Sequence, residues 1–275
     1  MPTPPRTYLF VPGHRPDRFS KALSTGADQV ILDLEDAVPI DAKDEAREAI
    51  TAFLTPTTPA AVRINGDGTR WFSADLACVA GPGVAAVLVP KAERLEAIDA
   101  VAASIAPSTI ILPMIETAVG LDRALALARH PRVQRLVFGS LDFQTDLGIH
   151  GDDDALLYFR SHLVFVSRLA GISAPVDGVT PRFDTPDAVT ADATRAKRLG
   201  FGGKLCIHPK QVAWVQSCFA PSDEEVAWAR RVVAATRTGD GAAAVDGEMV
   251  DRPVLERAES ILANAPRNAP GSALP

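Results

Sequence analysis

Short apolar runs recur along the chain, separated by longer stretches whose apolar positions return every three or four residues. The first pattern suits strands buried on both faces of a parallel sheet, and the second suits amphipathic crossover helices. Strands are predicted at Tyr8–Val11, Gln29–Asp33, Ala61–Ile64, Ala86–Val89, Ile110–Ile115, Arg135–Phe138, Ser173–Pro175 and Lys204–Ile207. Helices are predicted at Pro16–Ser24, Ala42–Phe53, Phe72–Val79, Leu95–Ile105, Leu121–Arg129, Leu156–Ala170, Pro186–Leu199 and Gln211–Cys218. Eight strand–helix alternations favour a closed (β/α)8 barrel over an open doubly wound sheet.

Two more helices, Asp223–Thr238 and Val254–Ala263, follow the eighth unit and are split by the Gly-rich turn Thr238–Gly247. The chain thus divides into a barrel domain over residues 1–218 and a C-terminal helical extension over 219–275, whose loop content suits something mobile. The Pro-rich start and the tail Ala265–Pro275 are expected to fray, since proline breaks regular structure.

Composition narrows the possibilities. A chain of 275 residues fits one barrel, and 47% hydrophobic with 23% charged content sustains a sizeable core. A net charge of -6 without a long basic run argues against nucleic acid or an anionic membrane as principal partner. Cys78, Cys206 and Cys218 are odd in number and lack Cys-x-x-Cys spacing, against a disulfide framework or structural zinc. With no signal-like N-terminus and no apolar stretch near the roughly 18 residues that span a bilayer, a reducing, cytoplasmic location is expected.

In such a barrel the site is built at the C-terminal ends of the strands. There the chain places Asp33, Glu35 and Asp36 after strand two, Arg63 and Asn65 after strand three, Lys91 after strand four, Glu116 after strand five, Asp142 after strand six and His208 after strand eight. Glu116 and Asp142, after successive strands, form a natural pair for a hard divalent cation such as Mg²⁺, although either could instead cap the following helix. Arg63 sits inside Ala-Val-Arg-Ile, where a half-buried guanidinium needs an anion. Its planar fork suits a carboxylate or an enolate, or else a structural ion pair with Glu35 or Asp36. His14 and His208 read as turn residues before they read as bases. Arg15, Arg18 and Lys21 place positive charge where phosphates could bind, or merely at the surface.

Six segments in order carry a likeness: Tyr-Leu-Phe-Val-Pro-Gly, Val-Ile-Leu-Asp-Leu-Glu-Asp-Ala-Val, Val-Arg-Ile-Asn, Val-Pro-Lys-Ala-Glu, Pro-Met-Ile-Glu-Thr and Lys-Leu-Cys-Ile-His-Pro-Lys-Gln-Val. From about Thr7 to Ala263 the chain resembles the citrate lyase β-subunit-like proteins, relatives of malyl-CoA and citramalyl-CoA lyases. The resemblance implies a TIM barrel that cleaves a 3-hydroxy-3-carboxy acyl-CoA thioester to an acyl-CoA and a 2-oxo acid. It implies Mg²⁺ on Glu116 and Asp142, substrate contact by Arg63, and a homotrimer or hexamer. One departure is Leu141, where relatives commonly carry an acid directly before the metal-binding Asp.

Retro-aldol cleavage of that kind leaves a thioester enolate, so Arg63 and Lys91 would offset oxyanion charge while Glu35 and Asp36 orient water and Arg63. Asp251, just ahead of Arg252-Pro253, is placed to cap the last helix. The resemblance implies instead that it is a lid carboxylate closing over a neighbouring subunit's barrel. Competing expectations are a CoA-independent metal-dependent 2-oxo acid aldolase, a subunit of a multi-protein citrate lyase acting on an acyl carrier, and a non-catalytic regulatory barrel. The last is disfavoured by the joint presence of Arg63, Glu116 and Asp142 at strand ends.

Overall fold

A computed structural model describes residues 4–151, 153–237 and 244–265; most of the Gly-rich turn and all but the first residue of the tail lie outside the described residues. Two compact units emerge, Pro4–Gln216 and a second beginning at Ser217.

The first unit is a closed barrel of eight parallel strands in sequence order. They are β1 (Thr7–Pro12), β2 (Gln29–Asp33), β3 (Ala60–Arg63), β4 (Val84–Val89), β5 (Ile110–Ile115), β6 (Val137–Phe138), β7 (Val176–Asp177) and β8 (Gly203–Cys206). Closure comes from β1 pairing with β8, Tyr8 opposite Leu205. The helices between and after them are α1 (Phe19–Leu23), α2 (Lys43–Phe53), α3 (Phe72–Val79), α4 (Leu95–Ser104), α5 (Ala118–Ala128), α6 (Ser140–Leu147), α7 (Asp153–Ala170), α8 (Pro186–Leu199) and α9 (Pro209–Phe219).

Alternation along the strands sends every second side chain inward, and Tyr8, Ile31, Ala61, Leu88, Met114, Val137, Val176 and Leu205 fill the barrel. The same parity continued one step toward the C-terminal rim carries Phe10, Asp33, Arg63, Glu116 and Gly139. The polar layer of the site is therefore the next storey of the apolar core. At the opposite end Arg135 plugs the barrel, donating to the carbonyls of Pro5 and Ala174 and to the Tyr8 hydroxyl.

Several bounds shift by one to three residues from the sequence expectation, β6 among them, which starts at Val137 and not Arg135, and three differences go further. The seventh strand is not Ser173–Pro175 but Val176–Asp177. The Ser173 amide donates to the Gln134 carbonyl at 3.1 Å, Pro175 has no N–H to continue the ladder, and the Val176 amide resumes it, 2.9 Å to the Leu136 carbonyl. The first predicted helix opens as a 3-10 turn, Pro16–Arg18, before α1. Helix α6 was not foreseen; it starts directly after β6 and ends on Gly148 at φ 67°, a left-handed cap that glycine adopts without strain.

The second unit contains α10 (Asp223–Arg237), a hairpin of β9 (Ala244–Val245) and β10 (Glu248–Met249), and α11 (Arg252–Ala263). The hairpin, also unforeseen, turns through Asp246 and Gly247 at φ 55° and 87°, the positive pair that an Asp-Gly type I′ turn requires. Ala229 and Val232 of α10, Val245 and Ala258 of α11 make its core.

Candidate active site

Arg63 and Asp33 are direct cross-strand neighbours in the β2–β3 register, both on the inward face. Their side chains meet in a two-point pair: Arg63 Nε donates to Asp33 Oδ1 and Nη2 to Oδ2, each at 2.7 Å. The same two oxygens accept the amides of Glu35 at 2.9 Å and Ala37 at 3.2 Å. Asp33 is fully buried. Burial opposes the guanidinium charge, but Asp33 and then Glu35 outweigh it and hold Arg63 above its ordinary pKa. The sequence left Arg63 to a substrate anion or to Glu35 or Asp36. Its Nε–Nη2 edge is taken by Asp33, while Nη1 stands 2.9 Å from Glu35 Oε2 and 3.9 Å from Asp36.

Glu35 bridges two cations, since Lys91 Nζ donates to its Oε1 at 2.8 Å. Burial raises the Glu35 pKa against the pull of Arg63 and Lys91. The loop carrying it is tied from below by Lys43, whose Nζ donates to the carbonyls of Leu34 and Glu35 and to Asn65 Oδ1 at 2.6, 2.7 and 2.8 Å. Asn65 rests in turn on buried Asp75. The sequence placed Asp33 on the rim without giving it a role and did not signal Lys43, because both roles depend on pairing with residues distant in the chain.

Glu116, just beyond β5, is 2% exposed and accepts the Lys91 amide at 2.7 Å. Lys91 makes that bond from φ 45°, a left-handed conformation costly for a residue with a Cβ and characteristic of constrained sites. Glu116 lies flat across Gly139, where an added Cβ would overlap its carboxylate. Burial first, then the charges of Glu35 and Asp142, push its pKa up to about 8. Asp142, in the first turn of α6, is 42% exposed and sits 3.8 Å from Lys91 Nζ.

A cavity of about 210 Å³ opens on this layer, lined by Phe10, Asp36, Arg63, Glu116, Gly139 and Asp142 among others. The residues fit a hard cation. Two carboxylates face one cavity and crowd against Glu35, with repulsion that a divalent ion would relieve. No set of three or more His, Cys, Asp or Glu side chains is arranged for a metal among the described residues.

A second cavity of about 390 Å³ lies against β1, lined by Phe10, Arg18, Lys21, Ile207 and His208 among others. Arg15 does not line it; its guanidinium grips Asp17 at 2.7 and 2.8 Å. His208 stacks on Phe183 and accepts the Lys210 amide on Nδ1, which suits a turn residue. His14 Nδ1 is buried without a hydrogen-bond partner among the described residues. In the second unit, Asp251 caps α11, its Oδ1 accepting the Val254 amide at 3.0 Å.

Residues 6–209 match the family model described as HpcH/HpaI aldolase/citrate lyase. A citrate lyase subunit beta-like protein of Deinococcus radiodurans is 36% identical over 96% of this chain and 99% of its own. A (3S)-malyl-CoA thioesterase of Cereibacter sphaeroides is 35% identical over 95% of each chain. Among solved structures, protein CitE of Mycobacterium tuberculosis in complex with magnesium, acetoacetate and coenzyme A superposes with a TM-score of 0.84 at 35% identity, covering 96% of this chain and 98% of that one.

Proposed function

The chain belongs to the HpcH/HpaI aldolase/citrate lyase family, and on that premise we propose that it is a Mg²⁺-dependent carbon–carbon lyase acting on a short 3-hydroxy-3-carboxy acyl-CoA thioester. The products would be an acyl-CoA and a 2-oxo acid. The observation that carries this reading is the Glu116 carboxyl, buried across Gly139, crowded by Glu35 and facing Asp142 over the same cavity as Arg63. Such a cluster carries electrostatic repulsion that a bound dication would relieve. Glu116 and Asp142 would hold Mg²⁺, which when bound supplies Lewis-acid neutralisation of substrate carboxylate and hydroxyl oxygens.

Cleavage breaks the bond between the hydroxyl-bearing carbon and the thioester α-carbon. The hydroxyl proton leaves to a base, the electron pair passes to the thioester enolate, and the α-carbon is then protonated. Arg63, at the cavity wall, and Lys91, whose Nζ lies 3.8 Å from Asp142, would offer positive charge for the enolate oxygen. Glu35 and Asp36 hold those cations in place. Arg18 and Lys21, at the neighbouring cavity, suit the phosphates of a CoA tail, whereas Arg15 is engaged with Asp17. Asp251 would reach the site as a lid carboxylate of a neighbouring subunit in a homotrimer or hexamer, exchanging its helix-capping bond for a proton-transfer role.

In this reading residues 1–218 are the catalytic domain and 219–275 the lid extension, and the protein works in the cytoplasm. No described helix is long and apolar enough to cross a membrane. Hydrolysis of the hydroxyacyl-CoA thioester is a second activity that the same carboxylates could support, and the Cereibacter relative is named for hydrolysis of malyl-CoA. Calorimetric Mg²⁺ titration and turnover of Glu116→Ala and Asp142→Ala test the assignment. Each variant should keep its circular dichroism yet lose turnover by more than about a hundredfold. Wild-type turnover with unchanged Mg²⁺ dependence in either would overturn the ligand pair.

A further inference from the structure

Asp33 makes four hydrogen bonds with two oxygens, and the partners fall into two groups. Two bonds fix the Nε–Nη2 edge of Arg63 at 2.7 Å each, and two fix the backbone of the loop that carries Glu35 and Asp36. A carboxylate has about four lone-pair sites, so every acceptor direction of this fully buried group is used. The guanidinium cannot rotate about its own bonds without breaking one of the pair, because the fork and the carboxylate are coplanar by construction. With that edge held, only the Nη end faces Glu35 and the cavity. Lys43 completes the hold from the opposite polarity, taking the carbonyls of the same loop while Asp33 takes its amides.

We propose that Asp33 is the positioning residue of this site, aligning Arg63 and the Glu35–Ala37 loop as one rigid unit; the inference rests on the lyase reading for its kinetic consequence only. Asp33 borders the cavity beside Arg63, but both of its carboxylate oxygens are engaged by Arg63 and the loop amides, so it is a positioning residue and not a catalytic one in this scheme. Its charge is used to fix which nitrogen of Arg63 meets the developing oxyanion. An amide in its place keeps the shape but turns its NH2 toward two donors, either Arg63 Nη2 and the Ala37 amide or Arg63 Nε and the Glu35 amide, so two donors lose their acceptor.

Two measurements test this, one independent of activity. In ¹⁵N-edited NMR of the wild-type protein, the Arg63 Nε–H signal, assigned by its loss in Arg63→Lys, should exchange with solvent at least about tenfold more slowly than that of exposed Arg18, with the Glu35 amide protected alongside it. In Asp33→Asn that protection should vanish. Kinetically, Asp33→Asn should lower kcat by about a hundredfold with KM for the thioester within about threefold. In an Arg63→Ala background the same substitution should cost at least about fivefold less, since most of what Asp33 does passes through Arg63. A merely structural carboxylate predicts equal losses in both backgrounds, and that additivity would overturn the proposal. Fast exchange of Arg63 Nε–H in the wild type would also overturn it, even if Asp33→Asn does not fold. Should the wild type cleave no acyl-CoA, the lyase reading falls while the exchange data still decide whether the clamp exists.

Discussion

At the Glu116 carboxyl, burial and the nearby charges of Glu35 and Asp142 raise the pKa from an ordinary 4.5 to about 8. Between those values the folded chain binds a proton that the unfolded chain has released, so stability without metal is fullest below about pH 4.5 for this group and declines as pH rises toward 8. Glu35, also raised by burial, acts in the same direction. A divalent cation competes with that proton. The midpoint of thermal unfolding should therefore rise more on adding Mg²⁺ at pH 8 than at pH 6, as read by scanning calorimetry against an EDTA control. An equal rise at both pH values would mean that Glu116 does not meet the metal.

Arg63→Lys tests the other half of the site. Lysine keeps the charge and loses the planar edge that Asp33 grips, so transition-state stabilisation should fall by about 2–4 kcal/mol in kcat/KM. Near-normal kcat/KM would leave Arg63 a structural cation. At this scale the sequence was informative where a charge interrupts an apolar run, as at Arg63 and Glu116. It put Asp33 on the rim but could not show its pairing with Arg63, which arises from the β2–β3 register, nor that Arg15 pairs with Asp17 two residues away.

Among elements, the junction of β6 and α6 is the most demanding. Gly139 permits the Glu116 carboxylate to lie against the strand end, and the first turn of α6 brings Asp142 to the same cavity. Gly139→Ala should fold, because φ there is -89° and suits any residue. It should displace Glu116, weakening Mg²⁺ binding and turnover by at least about tenfold. Unchanged Mg²⁺ affinity by calorimetry would show that Glu116 can move at no cost.

The strands β1 to β5 were readable because continuous Val, Ile, Leu and Ala runs leave little else to choose. Strands β6 and β7 are only two residues long, too short for periodicity to define. Pro175 and Arg135 lie beside them and blur their edges. Helix α6 escaped because Ser-Leu-Asp-Phe-Gln-Thr-Asp-Leu carries few apolar positions and is held by its neighbours, Asp146 accepting the Ala118 amide at the start of α5.

For the whole molecule, the likeness spans nearly the full chain, and the barrel and C-terminal helices follow the order that the sequence laid out. Quaternary structure was not legible, because neither a hydrophobic pattern nor a capping residue reports which surface meets a copy of itself. Asp251 illustrates this: its capping bond to Val254 is present, whereas the lid role proposed for it would be a property of an assembly. Asp251→Asn should keep the fold and Mg²⁺ binding while losing most activity. Mixing it with Arg63→Ala should recover part of that activity through hybrid oligomers with some intact sites. No recovery after subunit exchange verified by native mass spectrometry would return Asp251 to the role of a helix cap.

In the proposed reaction one rim of carboxylates and cations cleaves a carbon–carbon bond in a CoA thioester with a divalent cation. Incubating the purified protein with malyl-, citramalyl- and citryl-CoA, with Mg²⁺ and with EDTA, and following all products by mass spectrometry tests it directly. The account predicts a matched pair of acyl-CoA and 2-oxo acid from at least one thioester, appearing only with Mg²⁺. Turnover that survives EDTA, or cleavage of a free 2-oxo acid aldol in place of every CoA thioester, would contradict it.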